Sequence, residues 1–259
     1  MANTNRKYAA KIIAGGNIKL GKTMGTFSKL MGDEIYYIPE YDIYVKGTCG
    51  EFCEGCKGKC YVKKSYVRHT NHETGECSVK MGHARNTMAF YEDLALSFEE
   101  LDGQLTRKRK KFIYVRIDQS GELISEEEYS WWCWLARKHP ETHFYVYTKA
   151  FVYVMALLLA DLVPENLTTL FSVWHEYGIA EYKKVAHLDN VKAFVYMDKN
   201  KDPQNGWGFE EYAAHGLEVG TMCKAYDLKG RMNHEITCDV CKKCMNRVAS
   251  CKVIGCWAH

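Results

Sequence analysis

The chain is poor in proline, with four in 259 residues. It also has no Pro/Gly/Ser-rich stretch of the kind that links independent domains. No internal repeat is visible, which excludes solenoids and propellers. Long apolar runs are missing as well. The longest, Phe151 to Val163, has about thirteen residues and carries Asp161. A membrane span needs about 20, so the run reads as a buried helix and no membrane partner is expected. Met1 to Lys11 is polar and lacks the apolar centre of a secretory signal, so the expected location is the cytoplasm. Charge of one sign is scarce too: a net +3 is too small to argue for nucleic acid by itself. With 47% apolar and 26% charged residues, the composition is that of a globular protein and excludes wholesale disorder.

Cysteine is what the chain has in excess: twelve, nine of them in two clusters. Cys49, Cys53, Cys56 and Cys60 form the first, within CGEFCEGCKGKCY; Cys238, Cys241, Cys244, Cys251 and Cys256 form the second. Cys77, Cys133 and Cys223 stand alone. A disulfide scaffold belongs to small secreted domains, and this chain is neither short nor visibly exported. Gaps of two and three residues suit a loop wrapped around a metal. Zinc would take all four cysteines of the first cluster in a closed tetrahedral site. An iron–sulfur cluster could use three and leave one iron open. The second cluster begins CDVCKKC, and C-x2-C-x2-C is more typical of a [4Fe-4S] loop than of zinc. Its fourth ligand would be Cys251 or Cys256, with His234 and His259 behind them, and the alternative is a structural zinc pinning the tail.

Between the clusters strand-like and helix-like segments alternate. Strands are expected at Tyr41–Lys46, Phe112–Ile117, His143–Thr148, Leu167–Trp174, Val191–Met197 and Leu217–Thr221. Helices are expected at His83–Leu96, Ser125–Lys138, Phe151–Leu162 and Ile179–Ala186. Such alternation implies βαβ units and a parallel sheet, and apolar strands such as AFVYM imply burial on both faces. Both a six-strand partial barrel and an open doubly wound sheet fit this pattern. Residues 35–227 read as one domain after an N-terminal extension, 1–34, and before a cysteine-rich metal-binding tail, 228–259.

Function in such folds gathers at the carboxyl ends of the strands. Among the polar residues there, Lys149 and His175, with its neighbour Glu176, are the better candidates for proton transfer or substrate contact. The run Arg107 to Lys111 reads as a solvated loop, with nucleic-acid phosphate contact as the sharper alternative. Trp131, Trp132 and Trp134 read as helix packing rather than a base-stacking platform.

The C-x3-C-x2-C of Cys49, Cys53 and Cys56, in the loop after the first expected strand, resembles the radical S-adenosylmethionine (radical SAM) enzymes. In that family three cysteines hold a [4Fe-4S] cluster whose open iron binds S-adenosyl-L-methionine, and reductive cleavage gives a 5′-deoxyadenosyl radical. Ser120-Gly121-Glu122, after the second expected strand, resembles the family's Gly-Gly-Glu motif, which contacts the methionine amine. This chain departs from the pattern at Gly55, where the family has an aromatic residue. Its extra Cys60 also permits ligation by Cys53, Cys56 and Cys60, or by all four. A wider resemblance carries GGNIKLGK…MGTFSKL, a cluster ending CY, VRIDQSGE and CDVCKKCMN: these look like the phage gene product 88 family. It implies a phage-encoded protein in a bacterial host cytoplasm.

The expectation is therefore an α/β protein, a partial (βα)6 TIM-like barrel with a C-terminal cysteine-rich segment, and one or two [4Fe-4S] clusters. The activity implied is of the radical SAM type, on an unnamed substrate. The alternative is a non-catalytic phage protein, holding zinc or structural iron–sulfur, that contacts nucleic acid or host factors.

Overall fold

The computed structural model describes residues 13–14, 24–29, 35–38, 43–52, 94–107, 112–197, 207–225, 233, 235–245 and 251–257. The strands are β1 (Ile13–Ala14), β2 (Met24–Thr26), β3 (Ile35–Ile38), β4 (Ile43–Lys46), β5 (Tyr114–Ile117), β6 (His143–Thr148), β7 (Leu167–Val173), β8 (Val191–Met197), β9 (Thr221–Met222) and β10 (Val253–Trp257). The helices are α1 (Leu94–Thr106), α2 (Glu126–Lys138), α3 (Phe151–Leu159), α4 (Ile179–Val185), α5 (Phe209–Ala214) and a single turn, α6 (Cys238–Cys241).

The protein is mixed α/β. One sheet has the order β1-β2-β5-β6-β7-β8-β10-β9, in which seven strands run parallel and β1 pairs antiparallel with β2 at the edge. The sheet is open among the described residues. No helix of the described residues is long and apolar enough to cross a membrane.

Two strand assignments differ from expectation. Tyr41–Lys46 was expected to open the parallel sheet, but β4 pairs antiparallel with β3 in a separate two-stranded hairpin. The first parallel strand is β2, whose Met24 lies opposite Tyr114. With three residues, one of them Gly25, β2 carries almost no strand signature, whereas YDIYVK carries a strong one. At the other end the last short strand is Thr221–Met222 rather than Leu217–Thr221. The tail, expected as a cysteine-rich segment outside the sheet domain, supplies β10, which inserts between β8 and β9. The sheet thus draws strands from both sides of 35–227. The expected helix His83–Leu96 falls largely outside the described residues.

Strand alternation sorts side chains onto two faces. Val115, Ile117, Phe144, Val146, Phe171, Val173, Ala193 and Val195 join one core with residues of α1 to α5, such as Phe98, Trp132, Val154, Ile179 and Tyr212. The opposite face carries a smaller cluster of Tyr145, Leu170 and Ile254, covered by Met245 from the tail. With both faces covered, β7 is buried along its whole length despite three polar residues. Thr169 bonds the Tyr129 hydroxyl at 2.6 Å on the helix side, and Thr168 donates to the Met245 carbonyl at 3.4 Å on the tail side.

Helix α2 begins where Ser125 Oγ accepts the Glu128 amide, and it ends on Arg137 and Lys138, which suit the dipole. Helix α4 starts after Gly178, at φ +80, where an added Cβ would stand 2.4 Å from Phe151 Cζ. Gly178→Ala is therefore expected to destabilise by about 1–3 kcal/mol, read as a lower midpoint in urea unfolding.

Candidate functional site

The carboxyl ends of β2, β5 and β6 are tied together by the turn that follows β5. Asp118, at φ +48, redirects the chain there, and Gly121 has φ +85. Ser120 is clamped to Lys29 reciprocally: its carbonyl accepts the Lys29 amide at 2.9 Å, and its Oγ donates to the Lys29 carbonyl at 2.7 Å. Glu122 is buried, and its carboxylate accepts from the Leu123 amide (3.0 Å), Thr148 Oγ1 (2.7 Å) and the Lys149 amide (2.9 Å). The Glu122 amide in turn donates to buried Thr48 Oγ1 at 3.0 Å. That bond brings Cys49, the first cysteine of the N-terminal cluster, to the strand ends beside Ser120-Gly121-Glu122. Cys49 is half-buried, and its carbonyl accepts the Phe52 amide; the Phe52 ring meets Tyr153 of α3 edge-on. Cys53, Cys56 and Cys60 lie outside the described residues.

Beneath the turn is a charge cluster with no solvent exposure. Lys29 Nζ donates to Glu128 Oε1 and Oε2 at 2.6 and 2.8 Å and lies 3.2 Å from Asp118 Oδ2. Glu128 also accepts from the Ile124 amide at 2.8 Å and from Trp132 Nε1 at 3.3 Å. Neither Asp118 oxygen has a hydrogen-bond partner among the described residues. Burial pushes the Asp118 carboxyl well above the usual carboxylate range; Lys29 opposes that, while Glu128 and Glu122 add to it. Burial alone would lower Lys29, but Asp118 and Glu128 outweigh it and hold the ammonium above its ordinary value.

This arrangement gives a signed pH dependence. A carboxyl with a raised folded value keeps its proton on folding, so the unfolded chain binds fewer protons above about pH 4. The stability Asp118 contributes is complete below its unfolded value and is lost as pH rises towards its folded value. Asp118→Asn is expected to flatten that decline in urea unfolding between pH 5 and pH 8. Parallel declines in the two proteins would remove Asp118 as the source.

Lys149 leads from this turn to an aromatic platform. Its amide is held by Glu122, its carbonyl accepts the Tyr177 hydroxyl at 3.1 Å, and its Nζ lies 5.9 Å from the Trp174 ring centroid. Trp174 stacks on Tyr196 at 4.4 Å with 8° between the planes. His175 is buried at φ +53, and its ring meets Trp207 edge-on at 5.8 Å, with His215 stacked on the same indole at 4.3 Å. Lys149 is thus next to the Glu122 anchor, whereas His175 belongs to a separate aromatic group. Arg107 is exposed, and residues 108–111 lie outside the described residues.

The second cysteine cluster meets the sheet on the face opposite the helices. Cys238, Cys244 and Cys251 pack against the Tyr145–Leu170–Ile254 cluster, while Cys256 sits in β10 opposite Tyr196. Cys241 ends the α6 turn, and Lys242 follows at φ +55. Among the described residues no group of three or more Cys, His, Asp or Glu side chains could hold a metal ion. Cys133 is buried in α2, and burial pushes its thiol up to about 12, as suits a packing residue.

Lys29, Thr48 and Glu128 were not among the expected site residues. Glu128 left a trace: it lies four residues before buried Trp132, hence on the inward face of α2. Lys29 left none, because β2 itself is nearly silent in the sequence.

A family model described as Gene product 88 matches residues 5–247. No curated protein and no solved structure matches the chain. The match spans nearly the whole sequence, from before β1 to beyond the Cys238–Cys244 turn, and the chain belongs to the phage gene product 88 family.

Proposed function

We propose that this protein is an iron–sulfur protein of the radical S-adenosylmethionine type, on a partial barrel of β2, β5, β6, β7, β8 and β9 with β10 inserted. The observation that carries the reading is the Thr48–Glu122 hydrogen bond, which ties Cys49 to the Ser120-Gly121-Glu122 turn at the strand ends. Thiolates are the donors such a group needs, and Cys49 supplies one there. Cys49 opens C-x3-C-x2-C, which Cys53 and Cys56 complete in sequence. When bound, a [4Fe-4S] cluster supplies the electron for reductive cleavage of S-adenosylmethionine.

The chain's own residues hold the frame for that chemistry. Glu122 spends three acceptor positions on protein donors, which leaves one of the roughly four a carboxylate offers. Its role is to fix the start of the Lys149 loop and the turn, whose backbone would hold the methionine end of S-adenosylmethionine. Lys149 extends from this anchor towards Trp174 and is the residue for substrate contact. His175 stands apart from this anchor, its ring edge-on to Trp207.

The same commitment of Glu122 favours a second reading, in which the cluster is bound but S-adenosylmethionine is not cleaved. Reduction of the reconstituted protein with S-adenosylmethionine separates the two. Release of 5′-deoxyadenosine is expected; its absence from protein with a full complement of cluster would leave the second reading standing.

A further inference from the structure

The sheet brings together two cysteines that lie in separate segments of the sequence, Cys223 and Cys256. β10 runs parallel to β9, with Ile254 opposite Thr221 and Gly255 opposite Met222. The ladder continues one step further, because the Cys223 amide donates to the Gly255 carbonyl at 2.7 Å. The next opposed pair is therefore Cys223 and Cys256. Alternation puts both side chains on one face. Ile254 belongs to the tail-side cluster, so Cys256, two residues on, turns the same way. Met222 packs on the helix-side core, so Cys223, the next residue, turns to the tail side. Neighbouring strands stand about 4.8 Å apart, within the roughly 4.4–6.8 Å between Cα atoms that a disulfide bridges.

This register has little room to slip. At Gly255 an added Cβ would stand 2.5 Å from Met222 Sδ and 2.6 Å from Met197 Sδ, so methionines of both flanking strands close over it. A shift of one residue would force Ile254 or Cys256 into that space. Cys251, the other thiol next to β10, is out of reach of Cys223. It lies beside Gly220, where a Cβ would be 3.2 Å from its Sγ, and Gly220 is three residues, about 10 Å, back along the chain. The two opposed cysteines also differ in access. Both stand as thiols; Cys223 is half-buried, whereas Cys256 is 3% exposed and has Tyr196 opposite it on β8. An accessible thiol that attacks and a buried one that resolves have this arrangement.

We propose that Cys223 and Cys256 form a reversible disulfide, made by exchange with a small-molecule disulfide, that clamps the tail strand into the sheet. The Cys223 thiolate attacks one sulfur of that molecule, its S–S bond breaks, and one half leaves and takes up a proton. Cys256 then gives up its proton and attacks the Cys223 sulfur, which forms the Cys223–Cys256 bond and releases the second half. Two protein thiols are oxidised and one external disulfide is reduced to two thiols. The bond acts where the sheet is held least. β9 is an end strand of two residues with two register pairs to β10, whereas β10 has five with β8. Because Tyr196 stacks on Trp174, the clamp closes the same edge that carries Lys149. It takes Cys256 out of the candidate ligands of the tail and depends on no bound metal.

The test incubates the full chain anaerobically with oxidised glutathione, then alkylates and digests it for mass spectrometry. A peptide linking Cys223 to Cys256 is expected, and dithiothreitol restores both thiols. Cys256→Ser is expected to stop at the mixed disulfide, with glutathione retained on Cys223, and Cys223→Ser to leave Cys256 unmodified. Hydrogen exchange reads the clamp: amides of β9 and β10 should exchange about 10–100-fold more slowly in the oxidised protein. Full recovery of both thiols from the unaltered chain, glutathione on Cys223 without the link, or Cys223 linked to another cysteine overturns the pairing, even if either serine variant fails to fold. The linked peptide with unchanged exchange in β9 and β10 overturns the clamp.

Discussion

Lys29→Met lowers the stability of the protein by about 3–5 kcal/mol, the range expected when one partner of a buried ion pair is removed. The size follows from what is left behind. Glu128 loses two of its four hydrogen bonds, those from Nζ, and Asp118 loses the cation 3.2 Å away, with no solvent access to either carboxyl. At 1.4 kcal/mol per tenfold, the folding equilibrium shifts by about two to four orders of magnitude. Chemical denaturation measures it, and a double-mutant cycle with Glu128→Gln isolates the pair. The account predicts a coupling of about 0.5–3 kcal/mol. Additive effects would mean that the methionine is simply badly packed. The consequence reaches the candidate site, because Lys29 and Ser120 also bond through their backbones and the turn they share holds Thr48 beside Cys49.

On the proposed radical S-adenosylmethionine reading, Cys53→Ala is expected to reduce 5′-deoxyadenosine release to background. Cys53 is the choice because it is common to both three-cysteine assignments, Cys49/Cys53/Cys56 and Cys53/Cys56/Cys60. Cys244→Ala, on the opposite side of the sheet from the helices, leaves the N-terminal cluster in place. The placement of Cys49 at the strand ends adds a finer expectation: Cys49→Ala behaves like Cys53→Ala, and Cys60→Ala keeps activity. The reverse result for Cys49 and Cys60 would select the other assignment. Equal loss of iron from both sites in Cys53→Ala and Cys244→Ala would argue against two independent sites.

The parallel core was legible because its strands are apolar on both faces. β5 to β8 fall within a residue or two of where FIYVRI, HFYVYT, LTTLFSVW and VKAFVYM place them. The ends of the sheet were not. β2 and β9 have three and two residues, too few to show a period, and β10 is written in a segment whose cysteines read first as ligands. The same reason separates the site residues. Cys49, Ser120, Gly121 and Glu122 are recognisable by type and spacing. The residues that hold them are ordinary in sequence: Lys29 looks like a surface lysine, and Glu128 looks like one more acid in a helix's first turn. Their burial depends on a contact across 99 residues, which no local pattern records.

Anaerobic purification followed by iron, sulfide and zinc analysis tests the central claim most directly. The account predicts iron and acid-labile sulfide, with part of both lost in Cys53→Ala and the remainder lost when Cys244→Ala is added. Zinc without sulfide in the unaltered chain would contradict it.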